Sequence, residues 1–189
     1  MCSSDLKIVL YAMSLDLFAV LFGGARAVLP IYASDILHGG PQALGWLEAA
    51  PAVGAGLMSL ALAHFGTITS AGRVMLWSVA GFGLATILFA VSTNLPLALF
   101  ALFLVGATDA ISVVLRLSMV QLKTPTYLRG RVSAVNALFI SSSNQWGAVE
   151  SGIAASLMGT VPSVIFGGVM TLVVVGTVAL SKDIRRWRN

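Results

Sequence analysis

Residues 95–122 read LPLALFALFLVGATDAISVVLRLSMVQL, 28 residues that carry two charges, Asp109 and Arg116. A helix crosses a bilayer core with about 20 predominantly apolar residues. No period-2 alternation of apolar and polar residues runs through the stretch, which excludes a strand of a transmembrane β-barrel. It reads as a helix that crosses a membrane and keeps its two charges against protein or a watery cavity.

Segments 8–33, 41–65, 74–92, 132–158 and 161–180 are of the same kind. Gly39-Gly40-Pro41, Thr93-Asn94 and Gly159-Thr160-Val161-Pro162 punctuate the joints between them. The predicted fold is all-α and integral to the membrane, with six transmembrane helices. Composition agrees. Of 189 residues, 58% are hydrophobic and 10% charged, with mean hydropathy +0.94. An ordinary soluble domain carries about 25% charged residues. A soluble enzyme and a disordered tail are thereby excluded.

The loop charges orient the six segments. Lys7, Arg73, Lys123, Arg129, Arg131, Lys182, Arg185, Arg186 and Arg188 all fall on one side. The opposite loops, 34–40, 93–94 and 159–160, hold no Lys or Arg. By the positive-inside rule both ends of the six-span unit are cytoplasmic. The basic balance, +4 with pI near 9.7, then needs no nucleic-acid partner. Residues 7–182 form the six-helix transmembrane domain. Residues 183–189 form a basic cytoplasmic tail, with Arg185-Arg186-Trp187-Arg188 as an interfacial anchor.

Residues 1–6, Met-Cys-Ser-Ser-Asp-Leu, are polar and fit poorly with the apolar segment that begins at residue 8. The end of a common sequencing adapter, GTG-TGC-TCT-TCC-GAT-CT, reads V/M-C-S-S-D-L in frame. We expect these residues to be a non-native leader from adapter read-through, and the native protein to extend further upstream. Without Cys2 the chain has no cysteine, so thiol chemistry is not expected. His38 and His64 are far apart, so neither a metal site nor another cofactor is expected.

Six ionisable residues lie at membrane depth: Asp16, Arg26, Glu48, Asp109, Arg116 and Glu150. They occur in spans one, two, four and five, and not in three or six. This distribution predicts a 3+3 repeat, with the third span of each triplet peripheral and the first two lining an interior. Such repeats recur in secondary transporters. Arg26 and Glu48 each lie about seven residues from the same end, which makes them a candidate pair. Asp16 and Arg116 lie at similar depths, roughly 10 Å in at 1.5 Å per residue, and form a second. Asp109 and Glu150 are left as candidates for proton coupling, with Asp16 as a third. A carboxyl group in a low-dielectric site can carry a proton rather than a charge. The alternative is that all six are buried pairs holding helices together. Asp109 and Arg116, seven residues apart on one helix face, could also bridge through a third group.

Ser141-Ser142-Ser143-Asn144-Gln145 is a polar run within span five, read either as substrate-binding or as helix–helix glue. Trp46 and Trp146 can stack on a flat substrate, although interfacial belts and packing are commoner uses. Arg26, Glu48, Arg116, Asn144, Gln145 and Trp146 are the candidate lining of a substrate cavity. Gly23-Gly24, Gly54-Ala55-Gly56, Gly81-Phe82-Gly83 and Gly167-Gly168 permit close helix packing or bending.

These stretches resemble the C-terminal half of a major facilitator superfamily transporter, of the enterobactin-exporter-like group, or transmembrane secretion effectors. Arg26-Ala27-Val28-Leu29-Pro30 with Asp35-Ile36-Leu37 resembles the family's span seven and the loop after it. Residues 44–55, LGWLEAAPAVGA, resemble span eight, and Asp109, Ser112 and Arg116 fit the polar spacing of span ten. Thr124-Pro125 with residues 128–136, LRGRVSAVN, is the most specific match, before span eleven. Ser143-Asn144-Gln145-Trp146-Gly147 and Glu150-Ser151-Gly152 resemble span eleven itself. The likeness covers roughly residues 7–180. It departs at Gly72-Arg73, where the family's G-x-x-x-D-R-x-G-R motif lacks its acidic residue, and at Trp146, where a smaller aliphatic residue is usual.

The resemblance implies one half of a major facilitator fold, completed by an N-terminal six-helix half. The two halves would rock around a central site in a bacterial inner membrane. It implies proton-coupled export of a siderophore or a hydrophobic, drug-like compound, and no transport by this chain alone. No ATP-binding motif is present, so protons supply the energy. The partners expected are the bilayer, the missing half, a small-molecule substrate and protons. Other classes remain as alternatives. One is a complete six-span protein acting as a homodimeric transporter, and another is a non-transporting adaptor. An intramembrane serine protease needs a Gly-x-Ser-Gly turn, which the sequence lacks.

Overall fold

A computed structural model describes residues 25–65, 71–123 and 126–180. Its elements are all helical. Helix α1 (Ala25–Ile31) runs on through a π-helical turn, Tyr32–Ile36. Helices α2 (Gly40–Phe65), α3 (Ala71–Ala90) and α4 (Leu95–Lys123) come next. A 3-10 turn, Thr126–Leu128, leads into α5 (Arg129–Met158), and α6 is Thr160–Leu180. The leader 1–6, most of span one and the tail 183–189 lie outside the described residues.

Among the described residues, four stretches are long and apolar enough to cross a membrane: Gly40–His64, Gly72–Ala90, Leu95–Ser118 and Thr160–Val178. Helix α5 is the longest of the described helices, at 30 residues, yet is not among them. Asn136, the run Ser141–Gln145, Glu150 and Ser151 make it too polar. At about 1.5 Å per residue it is still longer than the roughly 30 Å of a hydrocarbon core.

Helix α4 packs on α2 and α3, α3 also packs on α6, and α5 packs on α6 and on α1. Two crossings bring backbones together at glycines. A Cβ on Gly106 would overlap the backbone of Pro51, and one on Gly54 would overlap the carbonyl of Phe103. Between α3 and α6, a Cβ on Gly83 would lie 3.2 Å from Gly168 O, and one on Gly168 would lie 3.1 Å from Gly83 O. Small residues let helices approach closely where lipid supplies no hydrophobic drive between them. The glycine groups around 54, 83 and 168 therefore sit at crossings. Gly56 faces open space, and Gly106 is a contact that the sequence reading passed over.

Helix α3 is peripheral along one stripe only: Arg73, Trp77 and Leu84 are exposed, and Val91, just past its end, continues the line. Its other faces meet α4 and α6. The larger core gathers Val28, Leu29, Tyr32, Leu47, Phe89, Ala98, Leu102 and Val164, close to the joints at 37–39, 91–94 and 159. A smaller cluster of Met75, Val79, Leu115 and Val175 holds the other end of α3, α4 and α6 together.

Candidate substrate and proton site

Asp109, Ser112 and Arg116 share one face of α4, because helical residues three and seven apart point the same way. Ser112 and Arg116 are 3% and 5% exposed, and Asp109 is half-buried. A buried guanidinium in an apolar helix is costly unless protein groups surround it. The structure thus keeps the α4 pair inside the bundle, on a helix that carries Ala98, Ala101, Leu102 and Ala107 in the core.

Helix α5 divides into three faces at about 100° per residue. Asn136, Gly147 and Ser151 are buried along one, with Ser143 and Glu150 half-buried beside them. Ala137, Ser141, Gln145, Ala148, Gly152 and Ser156 form a second face, small or polar and exposed. Val135, Leu138, Trp146, Val149, Ile153 and Leu157 form a third, bulky and exposed. Asn144, Gln145 and Trp146 are all exposed and point in successive directions. Trp146 shares its stripe with Val149 and Ile153, away from Asn144.

Helix α2 repeats the pattern in the same rotational order. Ala43, Leu47, Pro51 and Gly54 are buried. Glu48, Ala52, Gly56, Ser59 and Ala63 make a small, exposed face, and Trp46, Val53, Leu57 and Leu60 a bulky one. Glu48 is therefore a carboxylate on an open face of a helix apolar enough to span a membrane.

The proposed pairings fall partly outside this picture. Asp16 lies outside the described residues, as does the side chain of Arg26, whose backbone lies in the first turn of α1. Asp109 and Arg116 sit on α4 and Glu150 on α5. Among the described residues these two helices pack mainly on other neighbours. No group of three His, Cys, Asp or Glu among the described residues is placed to hold a metal ion.

Tyr32 is the residue that sequence reading missed. It is fully buried, and its hydroxyl lies 2.7 Å from Ala90 O, 2.9 Å from Phe89 O and 3.1 Å from Ser92 O. Phe89 and Ala90 are the last residues of α3 and Ser92 lies just beyond it, where carbonyls run out of helical N–H partners. Its ring packs on Phe89 with centroids 4.4 Å apart. The available signal was a phenol within an apolar run, since a buried Tyr hydroxyl finds a partner.

A protein-family model for the Major Facilitator Superfamily matches residues 12–186. The chain belongs to the major facilitator superfamily. Membership makes it a multi-pass membrane protein and a transporter, in keeping with its apolar spans. No curated protein and no solved structure matches it. Of the residues singled out in the sequence, Asp109 and Glu150 are half-buried, and Glu48, Asn144 and Gln145 are exposed.

Proposed function

We propose that the chain is one six-helix half of a twelve-span, proton-coupled exporter of a siderophore or a hydrophobic, drug-like compound. It would work in a bacterial cytoplasmic membrane, with both ends of this half on the cytoplasmic side. One observation carries the reading: Glu48, Asn144 and Gln145 stand exposed on α2 and α5 at membrane depth. Lipid does not accommodate such groups, so a second helical half and a watery path between the halves would cover them. The bulky stripes beside them remain free to meet apolar surfaces.

The packing agrees with a 3+3 organisation in part. Exchanging spans one, two and three for four, five and six turns the α2–α4 contact into α5–α1, and α3–α4 into α6–α1. Those four contacts are present and α3–α6 maps onto itself, whereas the α5–α6 and α1–α2 contacts have no comparable counterparts among the described residues. In this reading Asp109 and Glu150, with Asp16 as a third candidate, move the proton. Arg26, Glu48, Arg116, Asn144 and Gln145 line the path of the substrate; Trp146, on the bulky stripe away from Asn144, is left to apolar contact. Export, siderophore chemistry and proton coupling come from the resemblance to the exporter group.

The test is efflux from everted membrane vesicles carrying the full-length protein. Asp109→Asn or Glu150→Gln abolishes proton-dependent efflux while expression stays normal. Unchanged efflux in both variants would remove these carboxyls from coupling.

A further inference from the structure

The outward line of α3 is chemically uneven. Arg73, Trp77 and Leu84 share one exposed face, as helical residues four and seven apart do. Arg73 stands at the start of the line and is the one charged residue of Ala71–Ala90. Trp77, one turn further in, is 78% exposed, more than Trp46 or Trp146. Unlike the small, polar faces of α2 and α5, the line holds nothing after Arg73 that hydrocarbon would reject.

The described carboxylates lie far from Arg73. Residues 65–72, FGTITSAG, hold no acidic residue. Gly81 faces Thr108, so Asp109 is level with the middle of α3, about eight residues or 12 Å beyond Arg73. Asp35, Glu48 and Glu150 lie toward the opposite end, near the joints at Gly40 and Gly159. At the end where α3 starts, Arg129 and Arg131 are exposed as well, on the first turn of α5. The negative group that meets Arg73 therefore comes from outside these helices.

A phospholipid matches the line in chemistry and in length. A guanidinium makes charge-assisted hydrogen bonds to phosphate and reaches headgroup level on its long stem. Tryptophan favours the same level, with its ring at the edge of the hydrocarbon. From Arg73 to Leu84 is about 16 Å along the helix, close to half of a hydrocarbon core of roughly 30 Å, which is one leaflet. A zwitterionic headgroup brings its own cation to an end of the bundle that is already basic, and an anionic one does not.

We propose that Arg73 and Trp77 hold the headgroup of an anionic phospholipid, whose acyl chain lies along α3 toward Leu84. The inference needs only that α3 spans the membrane, and it stands apart from the transport reading.

Quenching of tryptophan fluorescence by lipid tests it, on the full-length protein in membranes that mix phosphatidylcholine and phosphatidylglycerol. One lipid or the other is brominated on its acyl chains. The part of the signal that Trp77→Phe removes belongs to Trp77. Brominated phosphatidylglycerol quenches that part more strongly, with a relative affinity of about fivefold for one basic side chain at an anionic surface. Arg73→Lys keeps the preference and Arg73→Ala removes it, whereas Arg131→Ala leaves it in place. Equal quenching by the two lipids overturns the site. So does a preference that survives Arg73→Ala, or one that falls equally with Arg131→Ala, since the charge would then act diffusely. Quenching of Trp77 by neither lipid would show that protein covers the line, and overturns the site as well.

Discussion

Replacing Tyr32 with Phe removes one oxygen from a fully buried site and leaves the ring stacked on Phe89. The loss is not shared equally among the three carbonyls. Phe89 O still accepts the Ser92 N–H at 3.0 Å and Ser92 Oγ at 2.6 Å. Ala90 O, at 2.7 Å the nearest acceptor, loses its shortest contact to a donor. A buried acceptor left without its donor costs about 1–3 kcal/mol in water-soluble proteins. Hydrogen bonds within membrane bundles average about 0.6 kcal/mol, with a maximum near 1.7. We therefore expect about 1 kcal/mol, or a fall in melting temperature of roughly 2–4 °C for a chain of this size. Tyr32→Ala also removes the ring and costs about 3–5 kcal/mol. Thermal unfolding in detergent, followed by fluorescence of the four tryptophans, reads both. Equal melting of Tyr32→Phe and wild type would show that the hydroxyl does not hold the end of α3. Coincidence of the Phe and Ala variants would refute the packing of the ring.

Gly54→Ala drives a methyl into the backbone of α4 and costs about 1–3 kcal/mol, whereas Gly56→Ala meets open space and is neutral or slightly stabilising; the same melts compare them. Arg116→Ala removes a buried side chain and lowers stability by about 2–5 kcal/mol, against less than about 0.5 for exposed Arg73→Ala. Equal melting of those two variants would contradict the burial of Arg116. Glu48→Gln, on an exposed face, leaves the melting temperature unchanged but lowers efflux; a variant that melts early and transports normally would place Glu48 in a packing contact instead.

Much of the fold is legible along the chain. The segments at 41–65, 74–92, 95–122 and 161–180 are uninterrupted enough that length and composition mark them. The joints at Gly40 and Gly159 carry the positive φ angles, +65° and +88°, that glycine tolerates. The segment read as span five, 132–158, is where the structure departs from the sequence reading. It forms a 30-residue helix, but its polar residues take it below an apolar criterion for spanning. Segment-by-segment hydropathy does not tell Asn136 and Ser151, which are buried, from Ser141, Asn144 and Gln145, which are exposed.

The candidate site was legible as a set of residue types and not as a constellation. Asp109, Arg116, Glu48 and Glu150 stand out because charge is rare in this chain. Their surroundings do not. Arg116 is buried and Glu48 exposed, although both sit in apolar runs of similar character. Trp146 adjoins Gln145 in sequence but points along a different stripe, since neighbours on a helix diverge by about 100°. Tyr32 gave no signal of charge or motif, because its partners lie 57 to 60 residues away.

Sequence alone determined which segments leave water and where they turn. Transfer into an apolar phase is a sum over neighbouring residues, and a turn is chosen by the few residues within it. Tertiary structure decided which face each charge presents, where Gly54 meets Phe103, and which carbonyls receive Tyr32. Those outcomes depend on how each helix is rotated and seated against partners far away in the chain. That rotation is set by close contact between side chains and backbones of different helices, which no local sum contains.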